Sequence, residues 1–243
     1  MEKLEHLKLI YHERLRDEAS IPEKIKEPNG IYYYVPFLEF VNVVRALYEI
    51  NVNNDYKKAR ELFYKAALIP EFMSRKFDWR VIDSGIYQIS YALFSDSKDL
   101  INTYSVLKNK ANNETGIGYQ FTNVVQNILL DDWEKVAWNI HCFTRLTKVK
   151  SLSKYANILP VLEGFAQKDP DLIRKGLIDY LSTHVKRNSN NELYCNFLSI
   201  DTAGFTKLAW IKGYQIDLNS PLVPIKLMPV EPVDTYSGYS YIS

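Results

Sequence analysis

The sequence predicts an all-α protein of stacked antiparallel helical hairpins, irregular but similar in size to tetratricopeptide-like (TPR-like) repeats, with an extended proline-rich C-terminal tail. Apolar residues recur at spacings of three and four over most of the chain, which is the pattern of amphipathic helices. Short polar turns at Asp55, Asp96, Asp132 and Asp169 follow one another at intervals of 41, 36 and 37 residues. Each interval suits one helix–turn–helix unit, and we expect the aspartate to cap the second helix.

Composition limits the classes of function. The chain has 243 residues, 47% of them hydrophobic and 24% charged, which is enough to bury a sizeable core without disulfides. A net charge of +1 argues against a protein that binds nucleic acid through general attraction to phosphate. The N-terminus mixes charged and apolar residues, and the longest uncharged run, residues 115–130, is short and polar. We therefore expect a cytoplasmic protein without an export signal or a membrane-spanning segment.

The N-terminal part is expected to contain two helices separated by a break. Residues 3–16 place apolar side chains at helical spacing under a charged outer face. Pro22 and Gly30 then interrupt the pattern, and we expect residues 31–35 to be an extended connector that carries aromatic side chains into the core. A second apolar stripe starts after Pro36, a residue that suits the first turn of a helix.

The middle of the chain is expected to contain further helices with strongly apolar faces. They cover residues 79–93, 118–130, 152–166 and 172–185. Pro160 is expected to kink or end the third of these helices, because proline lacks the backbone N–H that a helix interior requires. Residues 186–191, KRNSNN, form the most loop-like segment.

The clearest helix prediction covers residues 198–213, LSIDTAGFTKLAWIKG. Ser199 suits the N-cap, Asp201 lies in the first turn where a carboxylate meets the helix dipole, and Gly213 suits the left-handed position after the last turn. Nearly all of the intervening residues are apolar or small, so we expect other elements to surround this helix. The small Gly204 would let a neighbouring backbone come close.

The chain after this helix is expected to be a tail. Prolines at positions 221, 224, 229 and 232 keep it extended. We expect residues 214–243 to pack on a single helical domain that covers residues 1–243, because no linker or change of composition divides the chain. Tyr236, Tyr239 and Tyr241 are expected either to lie along a groove or to be partly disordered.

The C-terminal quarter of the chain carries an ordered set of residues: Leu198-Ser199, Gly204, Lys207-Leu208-Ala209-Trp210, Gly213, Pro221-Leu222-Val223-Pro224 and a Leu-Met-Pro segment at residues 227–229. In this order it resembles the Imm49-type immunity proteins of bacterial polymorphic toxin systems. It implies a helical protein that binds and neutralises a cognate toxin protein without catalysis. These positions are mostly packing residues, so the resemblance transfers no active site.

No pattern in the sequence predicts a catalytic, cofactor or metal site, and we expect none. The four histidines lie on separate predicted elements, and the two cysteines lack metal-ligand spacing. His141 and Cys142 are adjacent, so their side chains diverge by about 100 degrees on a helix, and packed positions are the preferred interpretation. A pocket that joined His141 or His184 to carboxylates would instead support a helical hydrolase.

Two charged segments are candidate partner-binding sites. An acidic turn, suited to a cationic partner, carries Asp131, Asp132 and Glu134. A basic segment, suited to an anionic partner, carries Arg145, Lys148, Lys150 and Lys154. Residues 135–162 contain no Asp or Glu, although the basic segment could also be a solvated helix end that acidic residues balance elsewhere. Trp79, Trp133 and Trp138 are expected to pack helices together rather than bind a partner.

Two classes of function follow. The leading hypothesis is an immunity protein that blocks the active site of a toxin domain or the approach of its substrate. The alternative is a TPR-like adaptor or scaffold that binds a peptide or protein partner in a helical groove. A concave face lined with Lys, Arg, Asn and Tyr would favour the adaptor, whereas a closed surface with a charged patch would favour immunity.

Overall fold

The structure, a computed structural model, describes residues 3–242 and is helical, as predicted. Met1, Glu2 and Ser243, which the predicted domain includes, lie outside the described residues. No strand occurs within residues 3–242, where an isolated bridge joins Ser220 and Val223. The α-helices are α1 (Lys3–Lys24), α2 (Gly30–Tyr34), α3 (Phe37–Tyr48), α4 (Tyr56–Phe77), α5 (Tyr87–Ser95), α6 (Lys98–Val106), α7 (Ile117–Leu129), α8 (Trp133–Leu146), α9 (Leu159–Gln167), α10 (Pro170–Ser182), α11 (His184–Asn188), α12 (Glu192–Phe197) and α13 (Ile200–Ile211).

Short turns of other helical types complete the elements. A π-helical turn at Glu49–Asn53 follows α3, and 3₁₀ turns lie at Val81–Ser84, Ser153–Ile158 and Ile225–Leu227. Helices that are neighbours in sequence pack together, as α3 does with α4, α4 with α5, α7 with α8 and α9 with α10. This pairing suits the predicted hairpins, while their stacking in the manner of TPR repeats stays a prediction.

Helix α13 lies at the centre of the packing. Ten consecutive residues, Ile200–Ala209, are buried, and the helix packs mainly on α5 and α10. A Cβ atom added at Gly204 would lie 2.1 Å from the hydroxyl oxygen of Ser90 on α5. The expected close neighbour is therefore present, but the contact at this position is with a side chain of α5 rather than with its backbone.

The two ends of α13 differ in how well the sequence predicted them. At the C-terminal end Gly213 has φ 90°, and the N–H of Tyr214 donates to the carbonyl of Ala209 at 2.8 Å, so the predicted stop is confirmed. At the N-terminal end Ser199 precedes the helix but does not cap its backbone. Its hydroxyl lies 2.9 Å from Oδ1 of Asp201, and that carboxylate accepts the N–H of Thr202 instead.

Aspartate caps occur at three of the four predicted turns. Asp55 accepts the N–H of Lys58 at 2.8 Å, Asp132 that of Lys135 at 3.2 Å and Asp169 that of Leu172 at 3.1 Å. The prediction for Asp96 was wrong. Ser97 caps α6, while Asp96 has φ 59° and directs its fully buried carboxylate into the protein, where two basic side chains contact it.

The N-terminal connector was predicted incorrectly. Helix α1 was predicted over residues 3–16 but continues to Lys24, with Pro22 inside it. Ile21, in the added part of the helix, is buried. Residues 31–35 begin within α2 rather than running as an extended connector. Tyr32 and Tyr33, which were expected in the core, are 41% and 59% exposed.

Three later boundaries also differ from the predictions. The helix expected at residues 79–93 is divided by Gly85, whose φ of 102° is incompatible with a continuous helix. Pro160 lies in the first turn of α9, where its missing N–H costs nothing, so it starts a helix rather than ending one. The loop expected at residues 186–191 contains part of α11, because Arg187 and Asn188 are buried by tertiary contacts.

Several residues after α13 pack against the helices. Ile216, Val223, Leu227 and Met228 belong to the main hydrophobic cluster, which includes residues from α1 to α13. The end of the tail packs on a second, smaller cluster formed by Ile21, Val35, Leu38, Ile69, Phe72 and Met73. The hydroxyl of Tyr239 donates to Glu18 at 2.6 Å and accepts from Asn42 at 2.9 Å.

Candidate functional site

Helix α8 and the residues next to its two ends contain the two predicted partner-binding segments except for Lys154, which lies in the 3₁₀ turn Ser153–Ile158. Asp132 caps this helix, and the buried residues Val136, Asn139 and Phe143 recur at spacings of three and four, so one face packs on α7. The opposite face is exposed to solvent. Its exposed members are Glu134, Lys135, Ala137, Trp138, His141, Thr144 and Arg145.

Hydrogen bonds between buried amides fix the position of α8 on α7. Nδ2 of Asn139 donates to Gln120 Oε1 at 2.8 Å and to Asn123 Oδ1 at 3.0 Å. Oδ1 of the same Asn139 accepts from Nδ2 of Asn127 at 2.7 Å. Because rotation of the helix would leave these buried groups without partners, the network determines which side chains of α8 face outward.

Trp138 is the most prominent side chain of this outer face. It is 58% exposed, and its ring stacks on that of His141 with centroids 5.5 Å apart. The prediction that Trp138 packs helices together was therefore wrong, and His141 is exposed rather than packed. Trp79 and Trp133 do pack against the core, as predicted. Since Trp138 follows Glu134 by four residues and precedes Arg145 by seven, its spacing already placed it on the charged face.

A cavity of about 390 Å³ opens beside Trp138. This volume is within the range of roughly 300–1,000 Å³ that is typical of ligand pockets. Burial raises the pKa of the Cys142 thiol, so this lining residue stays protonated near neutral pH. The lining residues are Glu114, Thr115, Gln120, Trp138, Cys142, Arg145, Leu146 and Val149.

The acidic turn is largely occupied by contacts within the protein. Oδ1 of Asp131 forms an ion pair with Lys212 at 2.7 Å. Asp132 is bound by Lys135 through a side-chain ion pair at 2.6 Å, and hydrogen bonds from Lys135 lower the pKa of Asp132. Glu134 is exposed and forms no ion pair within residues 3–242.

The basic segment presents its charges to solvent. Arg145, Lys148 and Lys150 are exposed, and none of them forms an ion pair within the part of the chain that the structure describes. Lys154 is partly buried, with its ammonium group 5.2 Å from the ring centroid of Tyr155. Glu134 and Arg145 are eleven residues apart on one helix, about 16 Å along its axis, so the structure does not bring the acidic and basic sites together.

A second polar cluster, which the sequence did not reveal, lies inside the protein. Nζ of Lys207 on α13 is 2.6 Å from Oδ1 of Asp96 and donates to the carbonyl oxygen of Pro229 at 2.8 Å. It also donates to the carbonyls of Leu227 and Met228, both at 3.1 Å. Burial lowers the pKa of Lys207 to about 8, and the Asp96 carboxylate opposes this shift.

Arg60 completes this cluster from α4. Its Nε donates to Oδ2 of Asp96 at 2.8 Å, and its Nη2 donates to the carbonyls of Lys226 and Pro229 at 3.2 Å. Nη2 also lies 3.0 Å from Glu231. The cluster therefore ties α4, the α5–α6 turn and α13 to the middle of the tail, residues 226–231. The signal in the sequence that could have suggested this cluster was Lys207, a lysine among the apolar residues in the second half of a helix expected to be surrounded.

His184, the other histidine considered for a hydrolase pocket, makes packing contacts inside the protein. Nε2 of His184 lies 3.1 Å from the carbonyl oxygen of Tyr194, and Nδ1 lies 3.1 Å from Nδ2 of Asn188. Burial lowers the pKa of His184. The nearby carboxylate of Asp201 is paired with Arg187 at 2.9 Å. These contacts do not form the pocket of histidine and carboxylates that would have supported a hydrolase.

Three further features concern metal binding, the cysteines and the length of the helices. Within residues 3–242 no group of three or more His, Cys, Asp or Glu side chains is placed to hold a metal ion. Cys142 and Cys195 are free thiols. None of the helices in this range is long and apolar enough to cross a membrane.

Comparison with known proteins identifies the family. The family model described as immunity protein 49 matches residues 80–227, more than half of the chain. This match starts well before the C-terminal quarter that carried the resemblance, and it includes the whole of α5 to α13. The comparisons with curated proteins and with solved structures found no match.

Proposed function

Because the chain belongs to the immunity protein 49 family, we propose that it binds a cognate toxin domain and neutralises it without catalysis. The family match over residues 80–227 is the observation that carries this proposal. Binding would mask the active site of the toxin or the approach of its substrate. Neutralisation of this kind is stoichiometric, so it requires tight binding, and nanomolar affinity corresponds to about −12 kcal/mol.

The surface of α8 supports a role in binding. Tryptophan and arginine are enriched among the residues that dominate interface energies, and α8 exposes Trp138 and Arg145 on one face. A helix held by the Asn139 network presents these side chains without further ordering, which lowers the entropic cost of association.

Co-expression tests the proposed function. The probe is the C-terminal toxin domain encoded by the reading frame adjacent to that of this chain. We expect the chain to restore growth of cells that express this domain and to co-elute with it as a stable complex in size-exclusion chromatography. A toxin domain with an inactivating substitution serves as the control for growth. Neither rescue nor a complex would contradict the proposal.

The contacts of the tail favour toxin neutralisation over the adaptor hypothesis. The ring of Tyr236 packs on that of Tyr64 of α4 with centroids 4.5 Å apart, and Gly238 lies against Leu68 of the same helix. A peptide could use this surface of α4 only after displacing the chain's own tail. We therefore retain the adaptor as the alternative and toxin neutralisation as the proposed function.

A further inference from the structure

We propose that the toxin binds to the second half of α8 and the segment after it, residues 138–154, through an acidic face that inserts an apolar side chain into the cavity beside Trp138. We call residues 138–154 the basic docking surface. The inference rests on the proposed function and adds the location of the interface and the chemistry of the partner.

The distribution of charge selects an acidic partner. Arg145, Lys148 and Lys150 have no ion-pair partners among residues 3–242, whereas Asp131 and Asp132 of the acidic turn are already paired with lysines. A cationic partner at the acidic turn would have to compete with these internal pairs. An anionic partner would meet basic groups that are exposed and uncompensated, which favours both attraction and correct orientation.

The cavity supplies the apolar part of the interface. Trp138 and Val149 line it and are 58% and 51% exposed, and Leu146 and Cys142 also belong to its lining. Burial of such side chains by a partner is the main source of interface energy, while charged residues at the rim set specificity and the rate of association. Apolar lining and a basic rim together fit an acidic segment with a central apolar residue.

A second exposed patch, on the N-terminal helices, is the competing location. It contains Tyr32, Tyr33, Phe37 and Phe40. This patch lies outside the residues that match the family, and side chains of both charge signs, Arg14 and Asp17, line the pocket that includes Phe37. It therefore specifies no charge for a partner, whereas the basic docking surface lies inside the matched residues and contains no Asp or Glu. The acidic side chain that lines its cavity, Glu114, belongs to the segment before α7.

Two matched alanine substitutions decide between these surfaces. Trp138→Ala and Tyr33→Ala each remove one aromatic side chain of nearly equal exposure, 58% and 59%. We expect Trp138→Ala to weaken binding to the adjacent-frame toxin domain by about 30-fold or more, as for a central interface residue. Tyr33→Ala should leave the Kd within about threefold. The opposite pattern, measured by titration calorimetry, would overturn the inference.

Charge reversal tests the acidic character of the partner. The variant Arg145→Glu/Lys148→Glu/Lys150→Glu is compared with Lys98→Glu/Lys175→Glu/Lys186→Glu, which makes the same change in net charge at exposed lysines elsewhere. We expect the first variant to associate with the toxin domain at least about tenfold more slowly at low salt than the unsubstituted chain. Its association rate should also depend much less on salt concentration. Equal effects of both variants would contradict a localised acidic contact.

The outcomes separate the two proposals. If the unsubstituted chain does not bind the toxin domain, the proposed function fails. If it binds and neither the Trp138 nor the charge-reversal variant is impaired, the function stands and the inference fails. A basic surface could also bind nucleic acid, so the same proteins are titrated with a 20-nucleotide RNA and a DNA duplex. Loss of nucleic-acid binding with toxin binding intact would likewise overturn the inference.

Discussion

Lys207 shows what one buried charge contributes to this protein. Its ammonium group is inaccessible to solvent and is surrounded by the Asp96 carboxylate and three carbonyl oxygens of the tail. Such a group costs desolvation energy that its partners must offset. Removing the lysine would leave Oδ1 of Asp96 and the carbonyls of Leu227 and Met228 without this donor, although Arg60 still donates to Oδ2 of Asp96 and to Pro229. Lys207 therefore satisfies buried acceptors more than it adds net attraction.

Replacement of Lys207 by methionine should therefore destabilise the protein strongly. We expect Lys207→Met to lower the free energy of unfolding by about 3–5 kcal/mol, the usual cost of removing one partner of a buried ion pair. Urea denaturation followed by circular dichroism measures this value.

Lys212→Met is the matched control for Lys207→Met. Lys212 pairs with Asp131, whose side chain is 59% exposed, so its loss should cost less than about 1 kcal/mol. Equal losses in the two variants would show that the Lys207 cluster does not act as a buried ion pair.

Glu39 is another ionisable residue whose surroundings shift its pKa. It lies on α3 and accepts a hydrogen bond from Nε2 of Gln88 on α5 at 3.1 Å. Burial raises the pKa of Glu39 to about 7, and the bond from Gln88 opposes the shift. A raised pKa in the folded state means that this group contributes stability that is present below its unfolded pKa of about 4.5 and is lost as the pH rises through 7.

The isosteric variant Glu39→Gln should remove this pH dependence. We consider the free energy of unfolding of the variant minus that of the unsubstituted protein. Between pH 4.5 and pH 7 this difference should increase in favour of the variant by on the order of 1–2 kcal/mol, after allowance for the partial exposure of Glu39. Urea denaturation at pH 4.5, 6 and 8 tests this trend. Glu163→Gln, at an exposed position, controls for the loss of one charge. A difference that is constant with pH would contradict the expected pKa.

At the scale of elements, the contact between α5 and α13 is a tight constraint on the packing. The distance of 2.1 Å from a Cβ added at Gly204 to Ser90 Oγ is too short for two non-bonded atoms. Oγ of Ser90 is buried and has no hydrogen-bond partner within the described residues. The two helices thus approach at a glycine and a small polar side chain, and added volume at either position would separate them.

A double-mutant cycle at this contact gives a sharp test. Gly204→Ala should reduce the free energy of unfolding by about 1–3 kcal/mol, because overpacking outweighs the better helix propensity of alanine. Ser90→Ala removes the obstructing oxygen and should be nearly neutral. In the double variant the cost should be smaller than the sum of the single costs by about 0.5 kcal/mol or more. Simple additivity would contradict direct contact.

At the scale of the whole molecule, we propose that the chain forms one domain with its tail packed on it. The main hydrophobic cluster contains residues of α1 and of the tail as well as of the helices between them. Lys207 and Arg60 bind the carbonyls of residues 226–229, and Tyr239 binds Glu18 and Asn42 of α1 and α3. Contacts from both ends of the chain thus meet on the same helices, so we expect unfolding to be cooperative.

The sequence by itself determined the helical class, most of the helices and three of the four aspartate caps. These features depend on local physics: apolar periodicity, capping side chains and the left-handed conformation that glycine permits at position 213. The order of residues near the C-terminus also indicated the family. This order can be read without a structure, because it consists of packing residues at fixed positions along the chain.

Only the tertiary structure decided which charges are buried and which side chains face solvent. Asp96 resembled the other turn aspartates in sequence, yet contacts with residues 36 and 111 positions away placed it in the interior. The spacing of Trp138 placed it on the same face of α8 as Glu134 and Arg145, but the amide network between α7 and α8 is what directs this face toward solvent. Burial depends on contacts between segments that are distant in the chain, so local patterns determine the helices but not the surfaces that they present.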